Sequence, residues 1–138
     1  MIKVKRIDRV AIAVADRDRT AQDLAGLFGL ATSAREHVAS QRTDVAFLSA
    51  GGDDTAIEVC APAGNEGLQR FLDKRGPGLH HICFEVEDLT GALDHLKAAG
   101  VRLIDEAPRP GARGHQVAFI HPASTGGVLF ELCAKAAR

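Results

Sequence analysis

A chain of 138 residues, 46% hydrophobic and 25% charged, is long enough for one compact domain with a single core and too short for two. With 17 basic and 18 acidic side chains the net charge is −1, which argues against nucleic acid or an anionic membrane as the main partner, since both need a basic surface. No apolar run approaches the ~20 residues of a membrane span, and the opening MIKVKRIDRV lacks the apolar core of a signal peptide, so a cytoplasmic protein is expected. The three cysteines, Cys60, Cys83 and Cys133, are odd in number and widely spaced, which is no disulfide framework.

In chain order, Val10 to Ala15 reads as an apolar strand that ends at Asp16. The mixed charges of Asp16 to Arg19 then lead into a helix. Ala21, Leu24, Leu27 and Phe28, three and four apart, lay one apolar stripe along it, and Gly29 stands at its C-cap. Three strands follow, near Leu30, over Val45–Ser49 and over Ala56–Ala61, with Gly51 to Asp54 as a turn between the last two. A connector over 63–77 holds a short helix at Gly67–Asp73. The pattern then restarts: a strand through Ile82 to Val86 ends at Asp88, and a helix carries Leu89, Leu93, Leu96 and Ala99 before Gly100. Strands near Val101, over Val117–His121 and over Val128–Ala134 follow, the last two joined by a turn from Pro122 to Gly127.

The restart is a duplication. Val10 to Asp16 returns as Ile82 to Asp88, and Val45 to Leu48 as Val117 to Ile120, both at an offset of 72. Glu58 to Ala61 returns as Glu131 to Ala134 at an offset of 73. The chain is therefore one domain, 1–138, made of repeat units 5–62 and 78–135. One βαβββ unit is too small to bury a core alone. The expected fold is α+β: two such modules paired into one curved, open-barrel mixed sheet, helices outside, with the concave face as the cavity.

At equivalent places the units carry Arg9 and His81 on their first strands, and Glu58 and Glu131 on their last. A carboxylate mid-strand among apolar neighbours costs several kcal/mol to desolvate unless it is paired or bound to a cation. One His and two Glu suit a divalent first-row metal, whereas edge-strand carboxylates facing solvent are the plain alternative. Adjacent strand residues point to opposite faces, so only one of His80 and His81 enters a cavity. The cysteines, two positions beyond Glu58, His81 and Glu131, share their face and serve as small apolar fillers or soft-metal ligands. His121 before Pro122 reads as a turn residue. Gly111 to Gly114, with Arg109 and Arg113, reads as a solvated turn, or as a weak phosphate cradle.

Several stretches resemble one family. The duplication is similar to that of the vicinal oxygen chelate superfamily. Within it, Gly76-Pro77-Gly78-Leu79-His80-His81-Ile82, Gly100-Val101-Arg102-Leu103, Pro108-Arg109-Pro110-Gly111, Phe119-Ile120-His121-Pro122 and Gly127 through Leu132 resemble the methylmalonyl-CoA epimerases. The resemblance spans nearly the whole chain and is densest from Phe71 to Leu132. It implies an acyl-CoA substrate, abstraction of its α-proton with stabilisation of the enolate, and pairing into a homodimer. It also implies a divalent ion (Co, Zn, Mn or Ni) held at the positions of Arg9, Glu58, His81 and Glu131. Glu131 is then one base, with Glu58 the candidate for the second; Asp44 and His37 are further candidates with less warrant. The match breaks at Arg9, where the family has His, because arginine has no lone pair to give a metal. Two readings stay open: His81, Glu58 and Glu131 hold the metal alone, or the Arg9 guanidinium replaces it. The second also suits a metal-free binding or resistance-type protein, and a glyoxalase-like lyase on another substrate is a third alternative.

Overall fold

The computed structural model describes residues 2–52 and 55–135, which divide into two compact units, one of residues 9–80 and one of residues 2–8 with 81–135. The first strand, β1 (Val4–Ala13), contributes its first half to the latter and its second half to the former.

In the 9–80 unit the order is β2 (Ala31–Val38), β3 (Thr43–Ser49), β4 (Ala56–Pro62), then β1. β1 runs parallel to β4, and the other neighbours are antiparallel. Strand alternation sends Ile12, Ala46, Leu48, Ile57 and Val59 to one face, where Ala21, Leu24 and Ala25 of α1 (Arg17–Phe28) cover them. Arg9, Ala11, Phe47, Glu58 and Cys60 have the opposite parity. Asp16 caps α1 by accepting the Arg19 amide, and Gly29 ends it at φ 71°, the left-handed conformation glycine tolerates best. The connector is mostly helix, α2 (Glu66–Arg75), three residues longer than the expected Gly67–Asp73 and capped by Asn65.

In the other unit the order is β5 (Gly78–Val86), β8 (Leu129–Ala134), β7 (Gln116–Ile120), β6 (Arg109–Pro110). Again the first strand is parallel to the last and the rest are antiparallel. Val86, Ala118, Ile120, Leu132 and Ala134 pack under Leu89, Ala92 and Leu93 of α3 (Leu89–Ala98), which Asp88 caps as Asp16 caps α1. His81, Cys83, Val117, Phe119, Glu131 and Cys133 take the other face. Each repeat's first strand stops at Ala13 or Val86, three and two residues before the Asp that caps its helix, and so earlier than the expected ends at Asp16 and Asp88.

Two expectations differ from the structure. Leu27 and Phe28 are 75% and 70% exposed, because α1 meets its sheet through Ala21, Leu24 and Ala25. Leu27 lies beside that stripe, and Phe28 in the last turn lies past it. The strand expected near Val101 is absent: Val101 closes the end of α3 by donating to Leu96, and Leu103 makes one bridge, to Ile120. β6 then forms further on, and it is two residues long where β2 has eight. Pro110 carries no amide hydrogen for a ladder, and the 3-10 turn Ala112–Gly114 begins two residues beyond it.

Candidate active site

In the 9–80 unit, parity brings three large side chains of the helix-free face together. Arg9 Nε donates to Glu58 Oε1 at 3.0 Å, and both side chains are almost fully buried. The guanidinium carbon lies 5.7 Å from the centre of the Phe47 ring, within cation–π range. Ala11 and Ala56, which pair with Glu58 and Arg9 in the β1–β4 register, are small and leave room for the arginine to lie across the sheet.

The other unit repeats the arrangement with one exchange. His81 Nε2 is 3.3 Å from Glu131 Oε1, again with both side chains buried, and the imidazole meets Phe119 edge to face at 5.1 Å. Arg9, Phe47 and Glu58 thus correspond to His81, Phe119 and Glu131 at the offsets of the duplication. The solvent-facing alternative for the two glutamates does not hold, since Glu58 is 4% and Glu131 1% exposed. His81 takes the buried side, while His80 stands edge-on to Phe71 of α2 at 4.9 Å.

The weaker candidates find other uses. His37 Nδ1 and Asp44 Oδ1 lie 2.9 Å apart as an exposed cross-strand pair of β2 and β3. His121 accepts the Ala123 amide and shapes its turn. All three cysteines are buried and none is in a disulfide, and Cys83 and Cys133 pack with Val117. The loop arginines are not simply solvated. Arg113, at φ 58°, donates to Asp8 at 2.6 Å, and Arg109 lies 3.2 Å from Asp105 with its guanidinium over Phe119.

Asp8 was not among the residues singled out from the sequence. It is 3% exposed, held by Arg113 with Arg6 at 3.6 Å, and its carboxylate lies within 4.8 Å of ligand atoms of His115 and Cys133. Nearby Glu85, also buried, is met by Lys5 at 3.4 Å. The cations that meet these acids, Lys5 and Arg6, precede Asp8 on β1, whereas Glu85 stands on β5, so no local pattern in the sequence announces the cluster.

The donor set fits a divalent ion only in part. His81 and Glu131 offer a nitrogen and an oxygen, as a first-row metal requires. In the 9–80 unit the equivalent place holds a cation, and Glu58 already spends an oxygen on it. A four-ligand set built on these positions therefore does not exist in this chain.

Residues 8–119 match the profile of the Glyoxalase/Bleomycin resistance protein/Dioxygenase superfamily. The uncharacterized protein YqjC of Bacillus subtilis is 39% identical over 131 residues, 94% of this chain and 92% of that one. The ethylmalonyl-CoA/methylmalonyl-CoA epimerase of Cereibacter sphaeroides is 36% identical over 132 residues, 94% of this chain and 97% of that one. The crystal structure of methylmalonyl-CoA epimerase from Mycobacterium tuberculosis is similar with a TM-score of 0.92 at 36% identity, over 97% of this chain and 90% of that one. That likeness gives this chain the fold of the superfamily, the α+β class expected from its duplication.

Proposed function

Because the chain belongs to the glyoxalase/bleomycin resistance/dioxygenase superfamily, we propose that it is an epimerase of methylmalonyl-CoA or a closely related 2-alkylmalonyl thioester. The observation that carries this reading is the repetition of a buried carboxylate, Glu58 and Glu131, each beside a nitrogen base or cation and a phenylalanine. Epimerisation removes a proton from one face of a carbon and returns one to the other. Its two directions differ only in which face gives up the proton, so carboxylates from equivalent places of a duplicated chain suit it.

In the forward direction the Glu131 carboxylate takes the α-proton. The C–H electron pair delocalises into the thioester carbonyl, which becomes an enolate oxygen. Glu58, which enters this direction as the neutral acid, delivers its proton to the opposite face, the pair returns to carbon, and the epimer is formed with Glu131 protonated and Glu58 left as the carboxylate that Arg9 pairs with. His81, 3.3 Å from Glu131, positions that carboxylate. The enolate oxygen needs a positive partner, since stabilising the developing charge usually lowers the barrier of such a step more than anything else does. The burial of the glutamates and the aromatic rings beside them keep water from competing for the carbanion. Three buried cysteines outside any disulfide agree with a reducing, cytoplasmic setting, and no helix among the described residues is long and apolar enough to cross a membrane.

The test is proton exchange. Incubated with methylmalonyl-CoA in D₂O, the protein is expected to remove the α-proton resonance. Glu131→Gln is expected to slow this by about 100-fold or more, the usual worth of a positioned acid–base group. Absence of exchange with both methylmalonyl- and ethylmalonyl-CoA overturns the reading in favour of a binding protein.

A further inference from the structure

The position at which the chain departs from the epimerase pattern gives its arginine a full set of partners. Arginine in place of a metal-ligating histidine would be a simple defect if its side chain turned away. Instead its Nε bonds Glu58 at 3.0 Å, its guanidinium lies 5.7 Å from the centre of the Phe47 ring, and Arg9 and Glu58 are 2% and 4% exposed. A ring face, a carboxylate and flanking alanines make a seat suited to a planar, permanently charged group.

Resting on the epimerase reading, we infer that Arg9 is a resident cation that closes Glu58 to divalent metal, and that this chain stabilises its enolate with the guanidinium. The physical basis is charge and geometry together. A divalent ion at Glu58 would displace a charge-assisted hydrogen bond and sit beside a fixed positive charge, in a buried place where screening is weak. The same guanidinium supplies what the ion would have supplied: positive charge that is already in place when the carbonyl oxygen becomes negative. It is held there by Glu58 and Phe47 without any exchangeable ligand. Such an enzyme is indifferent to chelators, and its activity does not vary with metal supply.

The experiment is a cobalt titration of the purified protein, followed by calorimetry and by the visible absorption of protein-bound Co²⁺. Wild type is expected to take up no stoichiometric cobalt, and its deuterium exchange is expected to be the same with and without chelator. Arg9→His removes the cation and offers a nitrogen ligand, so it should bind Co²⁺ on the order of 100-fold more tightly and show the visible bands. Arg9→Gln, closer in length to arginine, serves as a second variant that leaves Glu58 uncompensated, and circular dichroism establishes which variants fold. Stoichiometric cobalt on wild type that is lost in Glu58→Gln overturns the inference. So does a folded Arg9→His protein that gains no affinity, because Arg9 is then not what keeps metal out. Failure of exchange in every tube would instead overturn the epimerase reading, and the cobalt spectra would be read independently of it.

Discussion

Arg9 and Glu58 illustrate how differently a buried ion pair and its halves behave. Desolvating two charges offsets most of their attraction, so the intact pair contributes little net stability, but either charge alone is a heavy burden. Arg9→Met is therefore expected to destabilise the protein by about 3–5 kcal/mol, a large share of the roughly 5–15 kcal/mol that holds an ordinary domain together. Adding Glu58→Met should restore most of that loss, and urea denaturation of the three proteins measures both effects. At the surface the scale is smaller. Arg17 first, and then Arg35, hold the exposed Asp18 carboxyl below the usual carboxylate range. A depressed pKa adds stability above the unfolded value of about 3.9 and loses it as pH falls through the folded one. Asp18→Asn should flatten that acid limb slightly, which thermal melts between pH 5 and pH 2 would register; an unchanged slope would mean the contacts have no energetic weight. The four site positions were legible as residues, since charged groups recurring mid-strand at the offsets of the duplication, 72 and 73, have few bland explanations. Asp8 was not legible: its partner Arg113 lies 105 residues away and reaches it from a left-handed backbone that the sequence does not announce.

Helix starts are the most legible element boundaries, because Asp16 and Asp88 are N-caps, whereas the strands before them stop two or three residues earlier than the apolar runs suggest. The missing strand at Val101 escaped because periodicity cannot weigh local turn chemistry. Around it Gly100, Pro108 and Pro110 interrupt ladder formation, and the partner of β7 is displaced to Arg109–Pro110. The turn after that short strand is packed tightly. A Cβ on Gly111 would fall 2.6 Å from Val117 Cγ1 and 2.9 Å from Cγ2, and a β-branched side chain buried in a sheet has little freedom to yield. Gly111→Ala is thus expected to cost about 1–3 kcal/mol by overpacking, read as a lowered denaturation midpoint at unchanged slope. Val117→Ala in the same chain should recover part of it, because it removes both methyls in the way.

For the molecule as a whole, the duplication carried most of what could be foreseen: α+β class, module order, and which strands bear the glutamates. The repeat boundaries do not coincide with the compact units, because β1 gives its first five residues to the unit of the second repeat. Sequence similarity follows ancestry, whereas compactness follows which side chains bury one another, and only the structure reports the latter. An acyl-CoA that occupies the native protein alone must stabilise it by mass action. Propionyl-CoA, which lacks the second carboxylate, is expected to raise the melting temperature, by about 2.7 kcal/mol of added stability at roughly 100 times its dissociation constant. No shift with any acyl-CoA would count against the substrate class. The three cysteines, described so far as packing, also make the chain its own clock. Each thiol is shielded from solvent, Cys60 in the 9–80 unit and Cys83 and Cys133 in the other. An alkylating reagent can reach them only when the surrounding structure opens. Mass spectrometry of timed samples would therefore date the opening of each unit separately, on the native sequence and with no introduced label.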